Sequence, residues 1–487
     1  MSVIKLSDII YKEEYVYSTA EEGLEFDRLV ISPEDIDENC ILLLPNSKKF
    51  SYANIGDCAP IAVICDSGAH LPWEVPTVRV NNPRLAFSTC FARYEKINFD
   101  TMKFIGVTGT NGKTSTATFI KTILHTLGYK VGFFGTGKIE ICDKTASDAF
   151  YSMTTPDPDK MYRHIKEMEI AGCDFVVMEV SSHALALDKV APIPFEYGVF
   201  TNLSEEHLDF HVNMEDYFTA KCKLIERSKT AVFNIDDDYA RRAYEICKTR
   251  KFSVGAIRRG DIYASNVENF GLDGISYIYH KKDLSFRTNI NLSGIYNVYN
   301  SMLAATVCID IGCRPCEIKT ALNGIKNVDG RFEIIKDEIT VIIDYAHTEC
   351  AFYNIMKELS RIKCGGKLCV VFGCGGERDR RKRPKMAKIA ERYADRIILT
   401  NDNSRGEDPK DIFSDIIRGF THKSYEICEN RKDAIYSAIL NADKKDIVAI
   451  IGKGTEKYNI DKSGYHAFDE KSIIQSALTK RKERATL

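Results

Sequence analysis

The chain has 487 residues, more than one ordinary core accommodates, and this length points to about three domains. Hydrophobic residues make up 44% and charged residues 28%, with a formal net charge of −2. That is the balance of a globular protein, and it excludes a global basic field of the kind that draws in nucleic acid or an anionic membrane. No apolar stretch approaches the roughly 20 residues of a membrane helix, so no membrane insertion is expected.

The first 18 residues mix Lys5, Asp8, Lys12, Glu13 and Glu14 with apolar positions, which is not the pattern of a secretory core. The 16 cysteines are scattered without disulfide or zinc spacing and read as reduced, giving an expected cytoplasmic location. Cys364, Cys369 and Cys374 lie close together, but in a strand-like run and a glycine-rich turn that suit core packing better than metal. The basic cluster Lys480 to Arg484 reads as a solvated helix end.

Before residue 100 the chain offers short strands at Cys40 to Leu44 and Ile61 to Cys65, then a helix over Asn81 to Tyr94. From about residue 100 apolar runs alternate with amphipathic helices, which predicts a parallel α/β sheet. The strand candidates are Met102 to Val107, Phe175 to Val180, Tyr197 to Thr201, Thr230 to Phe233, Val341 to Asp344, Lys367 to Phe372, Arg396 to Thr400 and Ile447 to Ile451. A helix over Lys113 to Leu127 carries Ala117, Ile120, Leu124 and Leu127 on one face, and another spans Pro315 to Ile325. The predicted domains are 1–100, 101–329 and 330–487.

Between the first of these strands and its helix stands Gly109-Thr-Asn-Gly-Lys-Thr-Ser115. Gly109 and Gly112 allow the backbone to curl so that N–H groups surround phosphate oxygens, and the helix directs its positive N-terminus at the same anion. Lys113 can reach the β and γ phosphates, and the Thr114 hydroxyl can join a magnesium shell. Val107 stands where the common phosphate loop has its first glycine, so this is a G-x-x-G-K-T variant. The bland alternative is a turn between strand and helix with no ligand.

The loop resembles the nucleotide loop of the Mur ligases of peptidoglycan synthesis. Met178 to Leu187, Phe200 to Leu203, His207 to His211, Met214 to Lys221, Gly330 to Glu333, Asp344 to Thr348 and Phe372 to Arg380 are similar to the same family, in the same order. The branch most alike adds the third residue of the stem peptide. The resemblance spans about residues 104 to 460. It implies an N-terminal carrier domain, a central P-loop ATPase sheet and a C-terminal Rossmann-like domain. It also implies an ATP-dependent ligase that acts as a monomer in the cytoplasm on cell wall precursors.

The resemblance assigns roles residue by residue. Gly109, Thr110, Asn111, Gly112, Lys113, Thr114 and Ser115 hold ATP; Asn297 meets adenine, and Arg331 and Asp344 contact the nucleotide from the C-terminal domain. Thr114, Glu179, His207 and a carbamylated Lys221 form the Mg²⁺ set, with Lys113, Glu179, His207 and Lys221 as the catalytic group. Without carbamylation Lys221 would repel a cation, and it can also be read as an ordinary helix lysine beside Lys223. Glu179 alternatively reads as a solvated strand end. His211 braces its loop, and His347 either orients Asp344 or simply packs. The residues before Asn297 lack the family's usual basic-aromatic pair.

For the acceptor, UDP-MurNAc-L-Ala-D-Glu, the resemblance implies Thr154, Thr155, Ser182 and Lys189, where arginine is usual, together with Ser32 near the N-terminus. For the free amino acid it implies Arg378, Asp402, Asn403, Arg405, Gly452 and Glu456. Diaminopimelate-adding members usually read Asp-Asn-Pro-Arg, and here Ser404 replaces the proline while Asn403 and Arg405 remain. A guanidinium fork suits the distal carboxylate of meso-diaminopimelate, which lysine lacks. Thr455 stands where histidine is usual.

The first hundred residues lack the family's Asp-Ser-Arg and Gly-His-Asp segments, showing Ile31 to Glu34 and Pro45 to Phe50 instead. Two other readings stay open: a related ligase on another carrier, such as a pseudomurein or folylpolyglutamate type, and a non-catalytic nucleotide-binding paralogue.

Overall fold

The computed structural model describes residues 4–46, 58–146, 153–363, 365–422 and 424–486. Cys364 and the 47–50 part of the Pro45 to Phe50 segment lie outside the described residues. The chain forms two compact units. The first comprises residues 1–108, 129–198 and 220–230, and the second comprises residues 109–128, 199–219 and 231–487. The strands Phe195–Phe200 and Ser228–Asn234 cross the boundary and give residues to both.

The first unit holds a five-stranded sheet ordered Tyr17–Ser18, Thr77–Val80, Ala62–Asp66, Cys40–Leu43, Arg28–Val30. The last four strands run parallel, and the short first strand pairs antiparallel. Cys40 to Leu43 is buried along its whole length, the pattern of a strand covered on both faces. The helix Pro83–Tyr94 begins where Asn82 accepts the Leu85 N–H and Pro83 takes the first turn. In the same unit Phe175–Glu179 lies between Lys103–Thr108 and Val131–Gly135, parallel to both. The hairpin Lys138–Ile141 and Lys144–Thr145 extends this sheet antiparallel from Val131–Gly135.

In the second unit the helix Lys113–Thr126 buries Ala117, Phe119, Ile120, Ile123 and Leu124 against Tyr296–Ile311 and Pro315–Gly324. Tyr296–Ile311 is apolar nearly all round and buried accordingly, and it stops at Gly312 with φ +112°. Ile262–Asn269, Ile275–Lys281 and Leu284–Ile290 form an antiparallel meander. The sequence reading missed these three strands: they carry many polar residues on an exposed face, so no continuous apolar run marks them. The expected parallel α/β sheet is present, and this antiparallel meander is an addition to it that the sequence reading did not foresee.

The rest of the second unit is a six-stranded sheet ordered Glu333–Lys336, Thr340–Asp344, Ile447–Ile451, Leu368–Phe372, Arg396–Leu399, Glu426–Ile427. All pairs but the first are parallel. One face packs on helices Glu349–Ile362, Lys382–Tyr393 and Pro409–Ile417, through Phe352, Met386 and Ile412. The other packs on Arg431–Leu440 and Glu470–Thr486, through Ile435 and Ile474. Burial on both sides is why these strands read as unbroken apolar runs. Cys369 and Cys374 are both buried core side chains, and among the described residues no cluster of three or more metal-type ligands occurs. No helix among them is long and apolar enough to cross a membrane.

Candidate active site

The loop entering helix Lys113–Thr126 is held from several sides. Gly109 has φ +144°, and a Cβ there would stand 1.9 Å from Thr201 Oγ1. Gly112 has φ +85°, and its Cβ would stand 2.5 Å from Asn300 Oδ1. Both positions therefore require glycine, for conformation and for space. Thr201 Oγ1 and Asn202 Nδ2 donate to the Asn111 carbonyl at 2.6 and 2.9 Å, and the Asn111 N–H donates back to Asn202 Oδ1 at 2.9 Å. The Thr110 N–H donates to the Asn202 carbonyl at 2.9 Å, and its hydroxyl lies 3.1 Å from Tyr217 Oη. Ser115 is buried in the first helical turn. Lys113 Nζ curls onto the carbonyls of Gly109 and Thr110 at 3.0 and 2.9 Å, which sets its ammonium inside the loop.

Arg331, far along the chain, donates to Thr114 Oγ1 at 3.0 Å and lies over the Tyr345 ring at 4.2 Å. Asp344 Oδ2 accepts the Phe332 N–H at 2.6 Å, and Oδ1 accepts the Ala346 N–H at 2.7 Å. Burial pushes the Asp344 carboxyl above its usual range, against the pull of Arg331. Asn297 is buried; it donates to the Ser293 carbonyl at 2.8 Å, and its oxygen accepts from Asn300 at 3.2 Å. Asn300 in turn faces Gly112, so Asn297 supports the loop from behind.

Glu206 is a site residue that the sequence reading passed over. Its carboxylate lies 2.8 Å from His347 Nε2 and 3.6 Å from His207 Nε2. Burial raises its pKa, but His207, His347 and the Lys113 charge overcome that and hold it well below the usual range. His347 also places Nδ1 2.9 Å from the Tyr345 carbonyl. The idea that His347 orients Asp344 is thus corrected: backbone N–H groups do so, and His347 pairs with Glu206. His207 itself has φ +56°. His211 is buried, with Nδ1 3.2 Å from Asp216 Oδ2 and its ring against Tyr217, which suits a brace.

In the first unit Glu179 is fully buried and accepts the Thr136 N–H at 2.8 Å and the Thr136 hydroxyl at 3.2 Å. A solvated strand end is therefore excluded. Thr136 Oγ1 also lies 3.3 Å from Thr154 Oγ1, and Thr155 Oγ1 donates to the Glu179 carbonyl at 3.0 Å. Ser182 is buried in the first turn of helix Ser182–Ala186. Lys189 is buried and its ammonium lies 2.6 Å from Asp157 Oδ1. Lys221 is buried on helix Met214–Glu226, whereas Lys223 is part-exposed and pairs with Asp188 at 3.5 Å. The two lysines are not equivalent, so Lys221 is no ordinary surface lysine. Ser32 precedes a short 3-10 turn, Pro33–Asp35, and its side chain makes no cap.

The carboxyl ends of the C-terminal strands carry the remaining group. Asn403 Nδ2 donates to Glu456 Oε2 at 2.8 Å, and Lys453 Nζ donates to Asn403 Oδ1 at 2.9 Å. Tyr345 Oη donates to Glu456 Oε1 at 3.2 Å. Burial raises the Asp402 pKa, but Lys453, Arg431 and the Asn403 N–H hold it at about 2. Arg405, at φ +51°, donates to the Gly376 carbonyl at 2.8 Å. Gly452, at φ +127°, faces Asp402 Oδ2. Arg378 is half-exposed and lies 3.8 Å from Asp209 Oδ2. Below them the fully buried Arg383 ties Glu407, Asp415 and the Gly375 carbonyl together. Lys453 and Arg383 escaped notice because lysine and arginine are usually read as solvated.

Residues 107–308 match the Mur ligase middle domain, and residues 330–454 match the glutamate ligase domain of the Mur ligases. A UDP-N-acetylmuramoyl-L-alanyl-D-glutamate–2,6-diaminopimelate ligase of Clostridium acetobutylicum is 35% identical over 480 residues, covering 97% of this chain and 98% of that one. The chain belongs to the Mur ligase family. A Clostridioides difficile protein of the same name is 39% identical over 393 residues, covering 79% of this chain and 80% of that one. A solved ligase of that name superposes with a TM-score of 0.66 at 26% identity, covering 98% and 99% of the two chains. The likeness therefore includes the first hundred residues, and the expected limit at residue 104 is corrected. Mur ligases have three domains and are ATP-dependent, peptide-forming ligases.

Proposed function

We propose that this Mur ligase joins meso-diaminopimelate to the D-glutamate of UDP-MurNAc-L-Ala-D-Glu, releasing ADP and phosphate, as a step of peptidoglycan synthesis. The observation that carries the reading is the likeness, along nearly the whole chain, to ligases named for that reaction. The amino-acid cluster supports it. Glu456, held by the Asn403 amide, suits an ammonium, and Arg405 suits a second carboxylate. The domain limits proposed are 1–100 for the carrier, 101–329 for ATP and 330–487 for the amino acid, and the protein acts as a cytoplasmic monomer.

The acceptor carboxylate attacks the γ phosphorus of ATP, giving an acyl phosphate and ADP. The amine then attacks the acyl carbon and phosphate leaves, forming the amide. Gly109 to Ser115 cradle the triphosphate, Lys113 offsets its charge, and Arg331 and Asp344 bring the C-terminal residues to it. Asn297 faces adenine and braces the loop through Asn300. Thr154, Thr155, Ser182, Lys189 and Ser32 hold the acceptor. Arg378, Asp402, Asn403, Arg405, Gly452 and Glu456 hold the amino acid.

In this reading Thr114, Glu179, His207 and a carbamylated Lys221 would hold Mg²⁺, since a hydroxyl, two carboxylates and an imidazole are donor types that suit it. When bound, Mg²⁺ neutralises the charge that develops on phosphate. Burial of Lys221 favours a group that is paired rather than solvated, which fits the modification.

The test is a matrix of candidate acceptors and amino acids with ATP, read by mass spectrometry and phosphate release. Phosphate release should need both UDP-MurNAc-L-Ala-D-Glu and diaminopimelate. Product only with lysine, or only with another carrier, would replace the substrate assignment. Phosphate release that needs neither would replace the ligase itself with a nucleotide-binding paralogue.

A further inference from the structure

Lys453 is fully buried in the turn after strand Ile447–Ile451, a position where an ammonium is costly unless acceptors surround it. Three acceptors do. Asn403 Oδ1 lies at 2.9 Å, Glu456 Oε2 at 3.6 Å and Asp402 Oδ1 at 3.7 Å. The orientation of the Asn403 amide follows from its partners. Its oxygen faces two donors, Lys453 Nζ and the Ile460 N–H at 3.0 Å, so its nitrogen must face Glu456. Without the ammonium, the Asn403 oxygen loses a charged donor and both carboxylates lose the cation they share.

The charges point the same way. Lys453 lies between Asp402 and Glu456, while Arg431, itself paired with Glu470 at 2.7 Å, and Arg405 add positive charge at Asp402. Asp402 is thus well compensated, and the Glu456 carboxylate is the anion that suits an incoming ammonium group.

We infer that Lys453 is a positioning residue for the amino acid: it fixes the Asn403 amide between itself and Glu456, so that the Glu456 carboxylate is held ready for the substrate's ammonium. This rests on the reading of Asn403 and Glu456 as amino-acid contacts. A merely structural lysine would lower stability and affect every substrate alike. A positioning lysine acts on one substrate.

The experiment uses the full chain with Lys453→Met. The KM values for diaminopimelate, ATP and the acceptor, and kcat, are read by phosphate release. Amide exchange at Ile460 is followed separately without any substrate. The variant should raise the diaminopimelate KM about tenfold or more and leave the ATP KM within about twofold. Ile460 should exchange faster, because its acceptor is no longer held. Equal changes in all three KM values, or unchanged Ile460 exchange, would overturn the inference. If Lys453→Met does not fold, Lys453→Gln keeps a donor and removes only the charge: the diaminopimelate KM should still rise while Ile460 exchange stays as in the wild type, and an unchanged diaminopimelate KM would overturn the inference. If the wild-type protein adds lysine instead, the KM comparison is made with lysine. If it adds no amino acid at all, the proposed function fails, and Ile460 exchange alone decides whether Lys453 holds Asn403.

Discussion

Gly109 shows how a single residue fixes the nucleotide loop. Its φ of +144° and the 1.9 Å approach of Thr201 Oγ1 leave no room for a side chain. Gly109→Ala should cost about 1–3 kcal/mol in strain and abolish nucleotide binding, read as thermal stability with and without ATP. A variant that binds ATP like the wild type would show that the loop tolerates the strain. Lys113→Ala should abolish phosphate release, since its ammonium lies against the loop's own carbonyls. Phosphate release near the wild-type rate would reject the loop assignment. Arg405→Ala should weaken diaminopimelate more than lysine, by about tenfold or more in KM, since only diaminopimelate offers a distal carboxylate. Equal losses for the two amino acids would remove the selectivity argument.

At the scale of elements, the chemistry sits on connections that follow apolar strands. Thr340–Asp344 leads to His347, Leu368–Phe372 to Arg378, Arg396–Leu399 to Asp402, and Ile447–Ile451 to Lys453. Parallel strands bring their carboxyl ends to one edge, so residues more than a hundred positions apart meet there. Tyr345 and Glu456 are one such pair. The loop before helix Met214–Glu226 is tied to the C-terminal sheet by Glu206 and His347. Glu206→Gln weakens this link while keeping its shape. Turnover should fall about tenfold with little change in Tm, because the charge-assisted bonds position His207 and His347 rather than hold the core. Turnover within about twofold of the wild type would make the pair a surface contact only.

For the whole molecule, the buried charges set acid stability. Asp402 titrates at about 2 in the folded chain and near 3.8 when unfolded. A depressed folded pKa stabilises above the unfolded value, and that stability is lost as pH falls from about 4 through about 2. The contribution is about 2 kcal/mol. Between pH 5 and pH 2, wild-type unfolding free energy should therefore fall more steeply than that of Asp402→Asn. Parallel acid limbs would show that Asp402 is equally depressed in the unfolded chain.

The sequence alone determined what local chemistry can express. Apolar runs gave the four central strands of the C-terminal sheet to within a residue or so, because burial on both faces leaves a continuous signal in Leu368–Phe372 and Ile447–Ile451, while the short edge strands Glu333–Lys336 and Glu426–Ile427 went unread. Glycines at 109 and 112 announced the loop, because a positive φ needs them. The meander from Ile262 to Ile290 stayed hidden, because one polar face blurs its alternation. Only the tertiary structure decided which charges are buried and with whom. Glu206 between two histidines, Lys453 between two carboxylates and Arg331 on Thr114 are contacts between distant segments. A charge in sequence looks solvated by default, and only packing removes the water and forces it to find a partner.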